Sequence, residues 1–321
     1  MSISLKGLFK ALIFIVGAGL VLTTAVLAQH DASDSVMVLS GELISKRQLV
    51  EAESVLTEAI WEDPEYAPLY IQRGIIYGMQ TKFDQAISDF TKGIELAPKM
   101  SEAYYSRGLA YAKIDDKDKA LEDYNRSIEL NPGYADAYYN RGLIFFRKAN
   151  YDGAFDDFSK AVELNPRYSK AYYNLGLIYD SRADAAFNSR DTGAIAIRNE
   201  NLELEIQNYN QAISIDPKYT DAVYNRGLAY LKLNKLEKAE KDFLRAIFLN
   251  PKFREARYNL GITYEKMRRY GDAKKEFEKY LKDAPEVDSL RVRELLDKFP
   301  QMDKWQKRLD SVKAAEEEKS D

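Results

Sequence analysis

The chain of 321 residues contains no cysteine and a single histidine, His30. Disulfide frameworks, thiolate zinc sites, cysteine nucleophiles and histidine-based triads are therefore excluded. Phosphate-binding Gly-Lys-Ser/Thr, dinucleotide-binding Gly-x-Gly-x-x-Gly and nucleophile-elbow Gly-x-Ser-x-Gly motifs are absent as well. Basic residues form no stripe or tail, and the formal net charge is −4, so nucleic acid is not an expected partner. No cofactor and no metal is implied. Proline and glycine are sparse, at 9 and 16 residues, and most of them fall on one period.

Long apolar runs are confined to the start. Lys6 and Lys10 precede Ala11–Ala28, which ends Val26-Leu27-Ala28. A basic start, an apolar middle and small residues at the last and third-last positions predict a secretory signal over 1–28, cleaved after Ala28. The alternative is an uncleaved N-terminal membrane anchor, because eighteen residues sit at the lower edge of a spanning length. Both readings place the body outside the cytoplasm, in a bacterial periplasm or secreted, or held at a membrane only through this segment. His30 would lie beside the new terminus with no assigned role.

The period is carried by two residue types. Pro64, Pro98, Pro132, Pro166, Pro217, Pro251 and Pro285 are separated by 34, 34, 34, 51, 34 and 34 residues. Gly74, Gly108, Gly142, Gly176, Gly227 and Gly261 are separated by 34, 34, 34, 51 and 34. Three residues after each Gly stands an aromatic such as Tyr111 or Phe145. Twelve after it stands Ala86, Ala120, Ala154, Ala239 or Ala273, and sixteen after it Phe90, Tyr124, Phe158, Phe243 or Phe277. In the long repeat the matching aromatic is Tyr209 and Glu205 replaces the Ala. Apolar spacing of three and four residues predicts two amphipathic helices per block, A and B, closed by Asn-Pro or Asp-Pro turns.

This pattern resembles the tetratricopeptide repeat family. The resemblance implies an all-α, right-handed superhelical solenoid of helix-turn-helix repeats that binds other proteins without catalysis. The blocks are 67–100, 101–134, 135–168, 169–219 with a 17-residue insert, 220–253 and 254–287. Residues 33–66 read as a degenerate first repeat that lacks the Gly. Residues 288–321 read as a capping helix from Asp288 to Phe299, then a frayed helix and a disordered charged tail after Pro300.

One correlation within the repeats predicts a contact. Arg73, Arg107, Arg141 and Arg226 stand just before the Gly. The same four blocks carry Asp89, Asp123, Asp157 and Asp242 just before the helix B aromatic. Blocks with Leu175 and Leu260 instead carry Asn208 and Glu276. An Arg–Asp pair between helices A and B follows, since partly buried charges need partners.

Family resemblance also implies that helix A lines the binding groove. Two positions before the Gly stand Asn140, Asn174, Asn225 and Asn259, resembling the asparagine ladder of the O-linked N-acetylglucosamine transferase repeats. Beside them run Tyr105, Tyr139, Tyr173, Tyr224 and Tyr258. The amides could match an extended peptide backbone, or the residues could belong to the repeat subtype and its packing. Six before the Gly the residues are mostly acidic, Glu102, Asp136, Asp221 and Glu255 among them. That composition argues against a carboxylate clamp and for a neutral or basic extended segment as partner. In the insert, Phe187, Ile195 and Ile197 could form an apolar tip and a second partner site, or merely a tolerated loop. The expected function is thus an envelope adaptor holding an extended peptide. A scaffold using the outer face and the inserted hairpin is the alternative, and a carboxylate-based hydrolase, which no motif supports, is the distant one.

Overall fold

The computed structural model describes residues 30, 32–188, 193–283 and 286–317. The expected leader 1–28, the turn at the insert's centre, Pro285 and the last four residues lie outside these. The described residues are helical and contain no strand. Helix α1 spans 32–45. It is followed by α2 (Leu49–Glu62), α3 (Ala67–Met79), α4 (Phe83–Leu96), α5 (Ser101–Lys113), α6 (Lys117–Leu130), α7 (Ala135–Arg147) and α8 (Tyr151–Leu164). Then come α9 (Ser169–Asn188), α10 (Ala194–Ile215), α11 (Thr220–Lys232), α12 (Leu236–Leu249), α13 (Arg254–Lys266), α14 (Tyr270–Asp283) and α15 (Glu286–Glu317). The chain divides into two compact units, residues 1–157 and 158–321, each a stack of helical hairpins.

Within each hairpin the two helices meet at the periodic glycine. A methyl group added at Gly108 would sit 2.8 Å from Cε1 of Tyr124, and at Gly227 2.8 Å from Cε1 of Phe243. Only a residue without a side chain lets the helix B ring lie directly on the helix A backbone. The ring is then fully enclosed: Tyr124 and Phe243 are buried. The hairpin of 33–66 has other residues at these two positions. Ser40 and Leu56 occupy the positions of the Gly and the aromatic one period earlier, and both are buried. The Ser40 hydroxyl is returned to its own helix by donating to Met37 O at 2.8 Å, and the smaller Leu56 makes room for it.

The turn between helices A and B is made the same way in six hairpins. Arg47, Thr81, Asp115, Ala149, Asn234 and Arg268 adopt left-handed φ values between 55° and 63°. This reverses the chain while the next amide bonds back into helix A, as in Lys82 N–H to Tyr77 O at 2.8 Å. None of the six is glycine, so each carries the steric cost of a Cβ in that region. At the end of helix B the Asn-Pro or Asp-Pro pair stops the helix because Pro restricts the residue before it. The Asx side chain then caps the turn: Asn131 Oδ1 accepts from Gly133 N–H at 3.0 Å and Asn250 Oδ1 from Lys252 N–H at 3.1 Å.

Two expectations require correction. Helix α15 does not stop at Phe299 but runs through Pro300 to Glu317. Proline here removes one backbone donor without ending the helix, because the preceding turns are fixed by packing. Val292 and Phe299 are buried, with Phe299 5.6 Å from the Tyr270 ring and 6.0 Å from that of Phe277. His30 is not loose either: its Nδ1 lies 2.9 Å from Asp63 Oδ2 and its ring stacks on Tyr66 at 4.7 Å.

Two substitutions of opposite sign test this packing. Gly108→Ala forces Cβ into the Tyr124 ring and should destabilise unit 1 by about 1–3 kcal/mol. Thr81→Gly removes a β-branched residue from φ 62° and should stabilise by roughly 1 kcal/mol after the gain in unfolded-chain entropy is deducted. Urea denaturation of the two variants measures both.

Candidate functional site

The arginine before each glycine lies between helices and forms a fork. Arg73 donates from Nε to Asp89 Oδ2 at 2.7 Å and from Nη2 to Oδ1 at 2.8 Å. Arg107–Asp123, Arg141–Asp157 and Arg226–Asp242 repeat this bidentate geometry at 2.6–2.9 Å. Nη1 is used as well, on helix B of the preceding hairpin. It reaches Thr57 Oγ1 at 3.2 Å, Thr91 Oγ1 at 3.1 Å, and Asn125 and Asn210 Oδ1 at 2.7 Å. One guanidinium thus joins three helices, and its planar fork supplies the geometry a lysine could not. The four carboxylates are buried. In the block with Leu260, Glu276 instead pairs with Arg257 at 3.3 Å.

The asparagines of helix A are also committed within the fold. Asn140 Nδ2 donates to Asp136 O at 2.8 Å and to the Tyr105 hydroxyl, one period back, at 3.1 Å. Asn259 Nδ2 likewise donates to Glu255 O at 3.0 Å and to the Tyr224 hydroxyl at 2.9 Å. Asn225 donates to Tyr173 at 3.1 Å, and Asn174 to Lys170 O at 2.9 Å. A backbone carbonyl can only accept, so it fixes which end of the Asn140, Asn174 and Asn259 amides is nitrogen. Their partners' rings are packed between repeats. Tyr105 lies 4.7 Å from Tyr134 and 6.0 Å from Tyr124, and Tyr173 4.9 Å from Tyr219 and 5.8 Å from Tyr209. Tyr224 lies 4.6 Å from Phe253, and Tyr258 5.4 Å from Tyr280; Tyr139 is half-buried. The tyrosine rings therefore serve packing, and Asn140, Asn225 and Asn259 tie α7 to α5, α11 to α9 and α13 to α11.

What remains exposed beside Asn140, Asn225 and Asn259 accepts hydrogen bonds, whereas the repeat of Asn174 carries the exposed Lys170 where these three carry a carboxylate. The Oδ1 atoms of Asn140, Asn225 and Asn259 accept none from the described residues. One turn before them stand the exposed carboxylates Asp136, Asp221 and Glu255, and Glu102 stands likewise before Ser106. Burial, and then these carboxylates, push the neighbouring phenols up, Tyr105 by Asp136, Tyr173 by Asp221 and Tyr224, to about 12, by Glu255. The phenols stay protonated, and a hydroxyl that has accepted from Asn keeps its own proton to donate.

Family models for the tetratricopeptide repeat match 67–100, 101–134, 135–168, 158–196, 220–253 and 255–286, and a further model, the TPR repeat, matches 199–234. The chain belongs to the tetratricopeptide repeat family. Repeats of this family are protein-interaction modules. The C-terminal part of a TPR repeat-containing protein from Cytophaga hutchinsonii is similar over 78% of this chain and 98% of its own, at 17% identity and TM-score 0.59. A tetratricopeptide repeat protein from Parabacteroides merdae is similar over 83% and 98%, at 22% identity and TM-score 0.52. Both likenesses concern the fold. Among curated proteins none matches.

The tetratricopeptide repeat with the insert departs from the others at its centre. Helices α9 and α10 have 20 and 22 residues, against 13 and 14 in α11 and α12, so both run on by about two turns. One side of the extension is packed: Ala183, Leu202 and Ile206 are buried against Ala229 of α11, with Tyr230 and Leu233 around them. The other side is open, with Phe187, Ile195 and Ile197 exposed by 68%, 74% and 50%. The Arg198 guanidinium lies 5.1 Å from the Phe187 ring centre.

At the root of this hairpin Glu205 stands in the place of the repeat's alanine and is buried. Among the described residues neither its Oε2 nor the hydroxyl of Tyr209 finds a partner at good hydrogen-bond geometry. Asp180 and Asp184 of α9 are held by Lys232 of α11, the latter at 2.8 Å. Burial pushes the Glu205 carboxyl up to about 9, helped by the Asp180 and Asp184 charges and opposed by Lys232. The folded chain keeps a proton that the unfolded chain releases near its ordinary value of 4.5. Stability from this group is full below pH 4.5 and is lost as pH rises toward 9. Glu205→Gln should remove that slope, so that melting temperatures of variant and wild type converge near pH 4.5 and separate toward pH 9, the variant melting higher.

Proposed function

We propose that this protein is a non-catalytic adaptor whose A helices hold an extended segment of a partner protein. The observation that carries this reading is the acceptor character of the helix A face. The nitrogens of Asn140, Asn225 and Asn259 face inward, their oxygens are left over, and a carboxylate stands one turn before each of the three. An extended segment presents backbone N–H groups to such oxygens, and its carbonyls can accept from the tyrosine hydroxyls. The carboxylates favour a neutral or basic segment over an acidic one. The apolar run and small residues of 1–28 support export, which would place the adaptor in the cell envelope. The exposed Phe187, Ile195 and Ile197 support a second reading, a scaffold that also docks a partner on the inserted hairpin.

The asparagines are poor targets for a test, because removing them also cuts the ties between repeats. The carboxylates are exposed; Glu102 accepts from Ser101 and Glu255 from its neighbour Arg254, and neutralising them should disturb the fold less. Random peptides displayed against the full chain should yield ligands with net positive charge. Changing Glu102→Gln, Asp136→Asn, Asp221→Asn and Glu255→Gln together should weaken the selected peptides about tenfold at low salt, and less at high salt. Peptides whose binding ignores all four changes would contradict the reading. Deleting 183–199 should leave this binding intact.

A further inference from the structure

In unit 1 the helix A face is interrupted by an apolar pocket of about 270 Å³ between α3 and α5. Its walls are Ile75 and Met79 of α3 and Leu109 of α5, and its floor is the buried ring of Phe90. Lys113 and Phe83 stand at its rim. Two residues open it. Gly78, four after the periodic glycine, replaces the Ala112, Phe146, Leu231 or larger polar residues of other repeats, and a Cβ there would meet nothing within 4 Å. Ser106, two before the periodic glycine, replaces the asparagine of the later repeats. Both small residues line the same pocket. The apolar walls are left partly in water: Ile75 is 38% and Met79 52% exposed.

We infer that this pocket is the specificity site of the adaptor, taking one bulky aliphatic or aromatic side chain of the extended segment held along α3, α5 and α7. The inference rests on the groove reading above. Size selects the occupant. The volume falls below the roughly 300–1,000 Å³ of small-molecule sites and suits one or two side chains. Position selects it too, because the pocket lies on the same helix face as Asn140, whose oxygen and neighbouring Asp136 would hold the backbone beyond it. Met79 at the mouth, unbranched and polarizable, can adapt to either a branched or a planar side chain. The chemical class is therefore a peptide with one large apolar residue flanked by neutral or basic ones.

The test uses the full chain and a library of capped nonapeptides with random flanks and a fixed central Leu, Phe, Ala or Glu. Peptides with Leu or Phe at the centre should be enriched and bind at least about tenfold more tightly than the same peptides with Ala. The methyl resonance of Met79, assigned through Met79→Leu, should shift on their addition. Gly78→Phe, which brings in the side chain of Phe146 from the equivalent position, should fill the pocket and abolish the preference. Ser106→Phe should do the same from the other wall. Gly78→Ala adds only a Cβ in open space and should keep it, with melting temperature unchanged or raised. Peptide binding that is indifferent to the central residue and to Gly78→Phe would overturn the pocket and leave the groove reading standing. A library from which no peptide binds would overturn both.

Discussion

The structure depends on the approach of two helices at a residue with no side chain. Where Gly108 or Gly227 lies under the ring of its helix B partner, the helices are close enough that the ring fills the whole interval between them. Everything else in the repeat is placed by that contact. It sets the ring sixteen residues on, the alanine between, and the left-handed turn that reverses the chain. In the hairpin of 33–66 the equivalent positions are held by Ser40 and Leu56, both buried, a larger residue on helix A standing with a smaller one on helix B.

Neighbouring hairpins are joined by polar ties as well as by apolar packing. The guanidinium of each arginine holds a buried aspartate in its own repeat and an oxygen in the one before. The asparagine amide does the same for the tyrosine of the preceding helix A. These ties have a consequence for binding. They consume donors, and the face they leave is rich in oxygen. The acceptor character of the helix A surface is thus a by-product of how the repeats are held in register, and a ligand that donates is what such a surface can take.

The period, the helix pairs and the Arg–Asp partnership were legible because each repeats one residue type at one spacing. Legibility failed where a contact uses different residue types in different repeats. The arginine's third bond falls on Thr57, Thr91, Asn125 and Asn210, always sixteen residues earlier and always to a side-chain oxygen, a signal visible only once the chemistry is pooled. The asparagine ladder was visible, but not that its nitrogens are turned inward, which depends on a tyrosine in the preceding repeat. The pocket was invisible because it is made by two small residues, Gly78 and Ser106, in different blocks, each an unremarked exception on its own. Helix α15 passes Pro300 because packing of Val292 and Phe299 outweighs the local rule. Glu205 was seen as an exception, while its burial needed the inserted hairpin to be placed.

The most direct test of the account is a crystal structure of the full chain with a peptide selected from a random library. The account predicts an extended peptide along the A helices of unit 1, its N–H groups on the Asn140 oxygen and the Asp136 carboxylate and one large apolar side chain between Ile75 and Leu109 above Phe90. A peptide seated on the outer B helices, or on Phe187, Ile195 and Ile197 alone, would contradict it.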